Sequence, residues 1–206
     1  VAIELERDFI RKYIKGPDVF EFGCGNGIFA KELSTSYNVE AVDLFTPETT
    51  EGFKFNKMDI LDMNIDKKFN TVIAVSSLEH CGIETGQCTN PDYGCIDSIA
   101  RILEEIALDK IIITAPFGVE DIMFTQKNGP DDYFENIENP EWGYRVFNVQ
   151  YIDNLFANFK VVNSIAYKYT TGDYFDVANW ELLKQPRYQT IQDNKAVICA
   201  VLERKV

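Results

Sequence analysis

A chain of 206 residues with 46% hydrophobic and 26% charged side chains has the size and composition of one globular domain with a substantial core. No window reaches the ~18 consecutive apolar residues that a membrane-spanning helix needs. A net charge of −13 opposes binding to a phosphate backbone or an anionic membrane surface, so neither nucleic acid nor membrane insertion is expected.

Residues 3–15 follow a helical pattern, with Leu5, Phe9, Ile10, Tyr13 and Ile14 on one face. Glu4, Glu6 and Asp8 lie early and Arg11, Lys12 and Lys15 late, which complements the helix dipole, and Gly16-Pro17 stops the helix. The acidic start, with no long apolar run, does not resemble a secretory signal. A first residue of Val leaves room for a missing upstream segment. The five cysteines have no paired spacing and read as free thiols in a reducing cytoplasm.

Residues 18–22 make a short strand that ends in Glu21-Phe22-Gly23-Cys24-Gly25-Asn26-Gly27. Glycines at alternate positions let the backbone turn sharply and approach a ligand. A dinucleotide loop reads G-x-G-x-x-G; here the third glycine comes one residue early and Ile28 stands where that pattern wants glycine. A helix follows to about Ser36. Residues 39–44 make the second strand, ending in Asp43 and Leu44. Asp43, 16 residues after Gly27, faces the same crevice and can accept hydrogen bonds from both hydroxyls of a ribose.

Residues 53–58 make a weaker third strand, followed by Asp59-Ile60. Phe69 to Val75 is the strongest strand, apolar almost throughout as a buried parallel strand should be. It runs into Ser76-Ser77-Leu78-Glu79-His80. His80 is the only histidine, and an imidazole with an ordinary pKa near ~6.5 can take a hydroxyl proton at neutral pH. Cys81, Cys88 and Cys95 recur every seven residues, which is too wide for a zinc pair, and no metal is expected. Residues 96–108 read as a helix and 111–115 as the fifth strand, closed by Pro116. Residues 117–145 read as a long irregular loop, functional by its length. A helix near 149–158, a strand near 160–168 and a last strand near 196–203 complete the domain. The alternation of strands and helices implies a parallel sheet covered on both faces.

The E-x-G-x-G-x-G loop resembles the first motif of class I S-adenosylmethionine-dependent methyltransferases, and Ser76–His80 resembles their S-x-L-E-H segment. The resemblance covers roughly residues 18–118. It implies a Rossmann-like α/β fold with a seven-stranded sheet of order 3-2-1-4-5-7-6 whose last strand is antiparallel. It implies S-adenosylmethionine as cofactor, held by Glu21, Gly23, Cys24, Gly25, Gly27, Asp43, Leu44, Asp59, Ile60 and Ser76. Asp59 would accept the adenine amine and Ile60 would pack on the ring. His80 is the implied base or acceptor-orienting group.

Tyr93, Gly94 and Asp97 resemble an insertion in bacterial methyltransferases of sugar and surface-polysaccharide pathways. Glu79, Tyr93, Phe117, Trp142, Tyr144 and Arg145 are the candidate acceptor residues, with Lys127 and Tyr133 in the same loop, and Gly172-Asp173-Tyr174 and Trp180 as a second rim. The expected acceptor is a small polar molecule, a sugar or a phosphate or phosphoramidate intermediate of capsule assembly, methylated on oxygen in the cytoplasm. Two other readings remain open at this point: a nicotinamide-dependent oxidoreductase, and a module that binds S-adenosylmethionine without catalysis. Nothing in the sequence addresses oligomeric state.

Overall fold

The computed structural model describes residues 2–64, 66–83, 94–118, 121–125, 131–133, 142–170, 173–176 and 196–205. Its centre is an eight-stranded sheet. The first helix, α1 (Ala2–Tyr13), leads into β1 (Asp18–Phe22), α2 (Ile28–Leu33), β2 (Asn38–Asp43), β3 (Lys54–Lys57) and β4 (Phe69–Val75). Helix α3 (Cys95–Ile106) passes directly into β5 (Ala107–Pro116). Three short strands follow, β6 (Asp121–Thr125), β7 (Asp131–Tyr133) and β8 (Trp142–Val146), then α4 (Val149–Leu155), β9 (Phe159–Thr170), β10 (Asp173–Asp176) and β11 (Ala196–Arg204).

The main sheet has the order β3-β2-β1-β4-β5-β11-β9-β10. β1 to β5 pair in parallel, while β11 runs antiparallel to both β5 and β9. The seven expected strands are therefore present in the expected order, β9 and β11 being the sixth and seventh. The eighth, β10, pairs antiparallel with β9 at the outer edge. Asp173 and Tyr174, expected on a rim loop, belong to that edge strand, and Gly172 and Trp180 lie outside the described residues.

The sequence explains the centre of the sheet directly. Val72 and Ile73 of β4 and Ile111, Ile112 and Ile113 of β5 are fully buried. Each such side chain contributes about 1.5–3 kcal/mol of apolar burial. Because neighbouring residues of a strand point to opposite faces, the sheet carries two cores. Phe20, Val72, Ile111 and Ile113 pack beneath α3 and α4, whereas Val19, Ile73 and Ile112 pack with Phe9 and Ile10 of α1 and Phe29 of α2.

Residues 117–145 differ from the irregular loop expected. β6, β7 and β8 form a separate antiparallel sheet of order β7-β6-β8. The pairing of β6 with β8 is distant in sequence, with Asp121 opposite Val146 and Thr125 opposite Trp142, and each strand is short. A reading that looks for periodicity within one window has little to find in such strands. A parallel bridge from Phe117 to Phe147 ties this sheet to the end of β5.

Candidate functional site

The strand order reverses between β1 and β4, and open α/β sheets bind ligands at the carboxyl ends of the strands flanking such a switch. A cavity of about 650 Å³ lies there. It is lined by Phe22, Gly23 and Gly25 after β1, Asp43, Leu44 and Phe45 after β2, Asp59, Ile60 and Leu61 after β3, and Ser76, Ser77 and His80 after β4. Cys81, Ile83, Cys95 and Ile99 form an apolar wall. Among these described lining residues the only carboxylates are Asp43 and Asp59, and there is no lysine or arginine.

The glycines divide their work. Gly27 has φ 78° and closes the loop onto the segment after β2: an added Cβ would sit 2.2 Å from the Thr49 carbonyl oxygen. Gly25 has φ 54° and an added Cβ would meet nothing within 4 Å, so the backbone there faces open space. Gly23 lies so close to Ser77 that a Cβ would come within 2.4 Å of the serine Cβ. Helix α2 spans only six residues, so its dipole contributes less than the sequence pattern suggests.

Asp43 anchors the loop as well as facing the cavity. One carboxylate oxygen accepts from the Gly25 amide at 2.9 Å and the other from the Phe45 amide at 2.9 Å. Each oxygen keeps acceptor capacity for a further donor. Asp59 accepts from the Leu61 amide at 2.9 Å and so caps a short 3-10 turn, Ile60–Asp62, that presents Ile60 and Leu61 to the cavity. Leu44 and Phe45 are 57% and 58% exposed at the mouth. Large apolar side chains left in water at a cavity edge suit a planar apolar ligand.

Two ionisable side chains beside the glycine loop have buried polar atoms with no hydrogen-bond partner among the described residues: Glu21 Oε2 and Arg7 Nε. Glu21 is 2% exposed. Burial pushes its pKa up to about 8; Arg7 opposes that shift and Asp43 adds to it. Cys24, also buried, has its thiol pushed up to about 12, first by burial and then by Glu21 and Asp43. It packs as a small apolar residue in the core beneath α1 and α2. Arg7 stacks over the Phe29 ring at 5.3 Å and bonds Glu4 at 2.8 Å. The sequence reading gave α1 no part in the site, because its acidic start and basic end fit the dipole pattern and nothing marked Arg7 apart from its neighbours.

Ser76 is the one non-glycine residue among those described with positive φ, at 44°. A left-handed serine costs about 1–3 kcal/mol and persists only when its surroundings hold it. Its amide donates to the Thr114 carbonyl at 3.1 Å, and its hydroxyl donates to Glu6 Oε2 at 2.9 Å. The chain then turns into a 3-10 turn, Leu78–His80, that projects His80, 43% exposed, into the cavity. Glu79 turns the other way and is buried, 4.0 Å from the imidazole at its closest carboxylate oxygen. Among the described residues no group of three or more His, Cys, Asp or Glu side chains could hold a metal. No described helix is long and apolar enough to cross a membrane.

The candidate acceptor residues are brought together less closely. Strand β8 packs against the Leu78–His80 turn. Arg145 of β8 is 5% exposed, and its guanidinium donates to the Cys81 carbonyl rather than lining the cavity. Tyr144 is buried beside Val146. Phe117 is buried in the core beneath α3 and α4. Trp142 lies at the start of β8, paired with Thr125. Tyr93 and Lys127 lie outside the described residues, while Tyr133 ends β7 and Asp97 sits in the first turn of α3.

No protein-family model and no curated protein matches the chain. Solved structures do match, and they define a class: the chain has the Rossmann-like fold of S-adenosylmethionine-dependent methyltransferases. The particular structures it is similar to include the 1,6-didemethyltoxoflavin-N1-methyltransferase of Burkholderia thailandensis, crystallised with 1,6-didemethyltoxoflavin and S-adenosylhomocysteine. That likeness has a TM-score of 0.62 at 13% identity over 100% of this chain and 79% of that one. An S-adenosylmethionine-dependent methyltransferase from Clostridium acetobutylicum ATCC 824 gives 0.63 at 12% identity, over 100% and 93%. The N-methyltransferase NodS of Bradyrhizobium japonicum WM9, with S-adenosylhomocysteine, gives 0.59 at 10% identity, over 98% and 87%.

Proposed function

We propose that the protein is an S-adenosylmethionine-dependent methyltransferase acting on a small-molecule acceptor. One observation carries the reading: Gly25, Asp43, Asp59 and His80, from the ends of four adjacent strands, line a single cavity at the switch point of the sheet. The residues fit the cofactor on grounds of their own. Gly25 leaves backbone open to a ligand, and the buried Glu21 carboxyl and Arg7 guanidinium beside the loop suit the ammonium and carboxylate of an amino acid, Glu21 giving up its proton when the ammonium binds. The cofactor supplies a methyl group activated by its sulfonium.

The chain's own residues would then divide the task. Asp43 holds the ribose hydroxyls. Asp59 accepts the adenine amine, while Ile60 and Leu44 cover the ring. The apolar wall and β8 keep water from the methyl carbon. His80, projecting from the end of the central strand, holds the acceptor in line and takes its proton.

For the acceptor we propose a hydroxyl of a small polar molecule. Arg145 is engaged by the Cys81 carbonyl, and the described lining residues include no cation, so a neutral hydroxyl that needs His80 is favoured over a phosphate oxygen. A sugar-type intermediate of surface-glycan assembly is the form the sequence resemblance favours. Two of the similar structures are N-methyltransferases by name, which keeps a nitrogen acceptor as the alternative. The test is production of S-adenosylhomocysteine from S-adenosylmethionine across a panel of sugars, sugar phosphates and heterocyclic amines. Turnover with hydroxyl acceptors, lost in His80→Ala, supports the reading. Turnover with amines alone overturns the oxygen assignment.

A further inference from the structure

Glu6 lies on the buried face of α1, between residues that the helical pattern gives to the core, and is 4% exposed. An ionised carboxylate in such a place is costly unless it is hydrogen-bonded. Its Oε2 accepts from two hydroxyls, Ser76 Oγ at 2.9 Å and Thr114 Oγ1. Thr114 Oγ1 in turn accepts from the Ser76 amide at 3.0 Å. The three side chains and the Ser76 amide form a closed ring that joins α1, the end of β4 and β5. At its centre is the strained Ser76, which lines the cavity. An unfavourable charge and an unfavourable backbone conformation therefore occupy one point at the edge of the site, each stabilised by the other.

We propose that Glu6 is a positioning residue of the cofactor site, whose carboxylate holds Ser76 in the left-handed turn that aims Ser77 and His80 at the cavity. This rests on the donor-site reading above. The reversal at Ser76 brings the Ser77 hydroxyl to the Phe22 carbonyl at 2.9 Å and its Cβ against Gly23, which joins the β4 turn to the glycine loop. The His80 amide donates to the Ser77 carbonyl at 3.2 Å, so the histidine follows the same turn. The charged and titratable groups facing Glu6 are few. Arg7 favours the carboxylate, burial opposes it and raises its pKa, and the Cys199 thiol is itself pushed up by burial and stays neutral. A released Ser76 would relax toward the extended backbone that a serine prefers. Ser77 would then leave Gly23.

The test is calorimetric affinity for S-adenosylhomocysteine in the intact chain. Glu6→Ala is expected to weaken binding about tenfold or more, the effect of losing hydrogen bonds to a charged group. Glu6→Gln keeps an oxygen that can accept both hydroxyls and should stay within about threefold of wild type, by the same measure. In a Ser76→Gly background, where glycine adopts positive φ freely, Glu6→Ala should cost less than about twofold more. Equal losses in both backgrounds, or wild-type affinity for Glu6→Ala, would overturn the assignment. Thr114→Val, which keeps the shape and removes the bridging hydroxyl, should weaken binding several-fold even if Glu6→Ala fails to fold; unchanged affinity there also overturns it. Absence of binding by the wild type overturns the donor-site reading and Glu6 with it. Binding by the wild type with no effect of these variants overturns Glu6 alone.

Discussion

The two sides of the cavity are built differently. On the proposed donor side, strand ends carry short loops held by bonds from other elements: Asp43 accepts from the Gly25 amide, Ser77 donates to the Phe22 carbonyl, and Glu6 of α1 accepts from the Ser76 hydroxyl. On the proposed acceptor side, β8 packs against the Leu78–His80 turn from a sheet built by pairing distant in sequence, and none of the described cavity-lining residues comes from that sheet. On the proposed reading, the contrast separates a fixed cofactor site from a variable acceptor site. A ligand held by crossed bonds between strands tolerates little change. A ligand held by an added sheet can change while the fold stays constant, as sites grafted on a common fold generally do.

His80 should show the greatest change on substitution. His80→Ala should reduce methyl transfer by about 10²–10⁴-fold, the usual contribution of a positioned general base, and leave S-adenosylhomocysteine affinity near wild type. Steady-state rates beside calorimetry give both quantities. Loss of cofactor affinity with retained turnover would move His80 to the donor side. Next comes Asp43→Ala, which removes two loop bonds and the proposed ribose acceptor. It should weaken cofactor binding about hundredfold through its charge-assisted bonds.

The glycines give a smaller and more discriminating contrast. Gly27→Ala forces a Cβ to within 2.2 Å of the Thr49 carbonyl and should lower the thermal midpoint clearly. Gly25→Ala meets no protein atom, so its stability cost should be limited to the left-handed backbone, about 1–2 kcal/mol, while cofactor affinity falls. Thermal denaturation with and without S-adenosylhomocysteine separates the two. Equal behaviour of both variants would contradict the division of roles between them.

The smallest effect is in pH. Glu21 has a pKa raised by burial to about 8, above its unfolded value of 4.5. Its contribution to stability is therefore full below about pH 4.5 and is lost as pH rises through about 8. The stability difference between wild type and Glu21→Gln should shrink or change sign across that window. A cationic ammonium placed beside Glu21 would draw its proton off. S-adenosylhomocysteine binding near pH 7 should then release a proton, measurable by calorimetry in buffers of different ionisation enthalpy.

That Gly25, Asp43, Asp59 and His80 meet around one cavity was legible in sequence because their determinants are local. Glycine spacing, Asp43 and Asp59 after their strands, and the Ser76–His80 segment each stand at the end of a recognisable strand, and strand order then brings them together. Glu6 and Arg7 were not legible. Each is a single charge in a helix whose charges already fit the dipole pattern, and only the packing of α1 onto the sheet gives them partners. β6 to β8 escaped for a related reason, since β6 finds its partner β8 across a long interval. Arg145, a candidate acceptor residue by sequence, is buried, donates to the Cys81 carbonyl and is absent from the cavity lining, a placement that only the packing of β8 onto the Leu78–His80 turn reveals.

The central claim is that the cavity between β1 and β4 holds a methyl donor. Titration of the intact protein with S-adenosylhomocysteine and, separately, with NADH tests it most directly. A methyl-donor cavity should give saturable binding of S-adenosylhomocysteine, weakened strongly by Asp43→Ala, and no heat with NADH. Saturable NADH binding with no response to S-adenosylhomocysteine would contradict it.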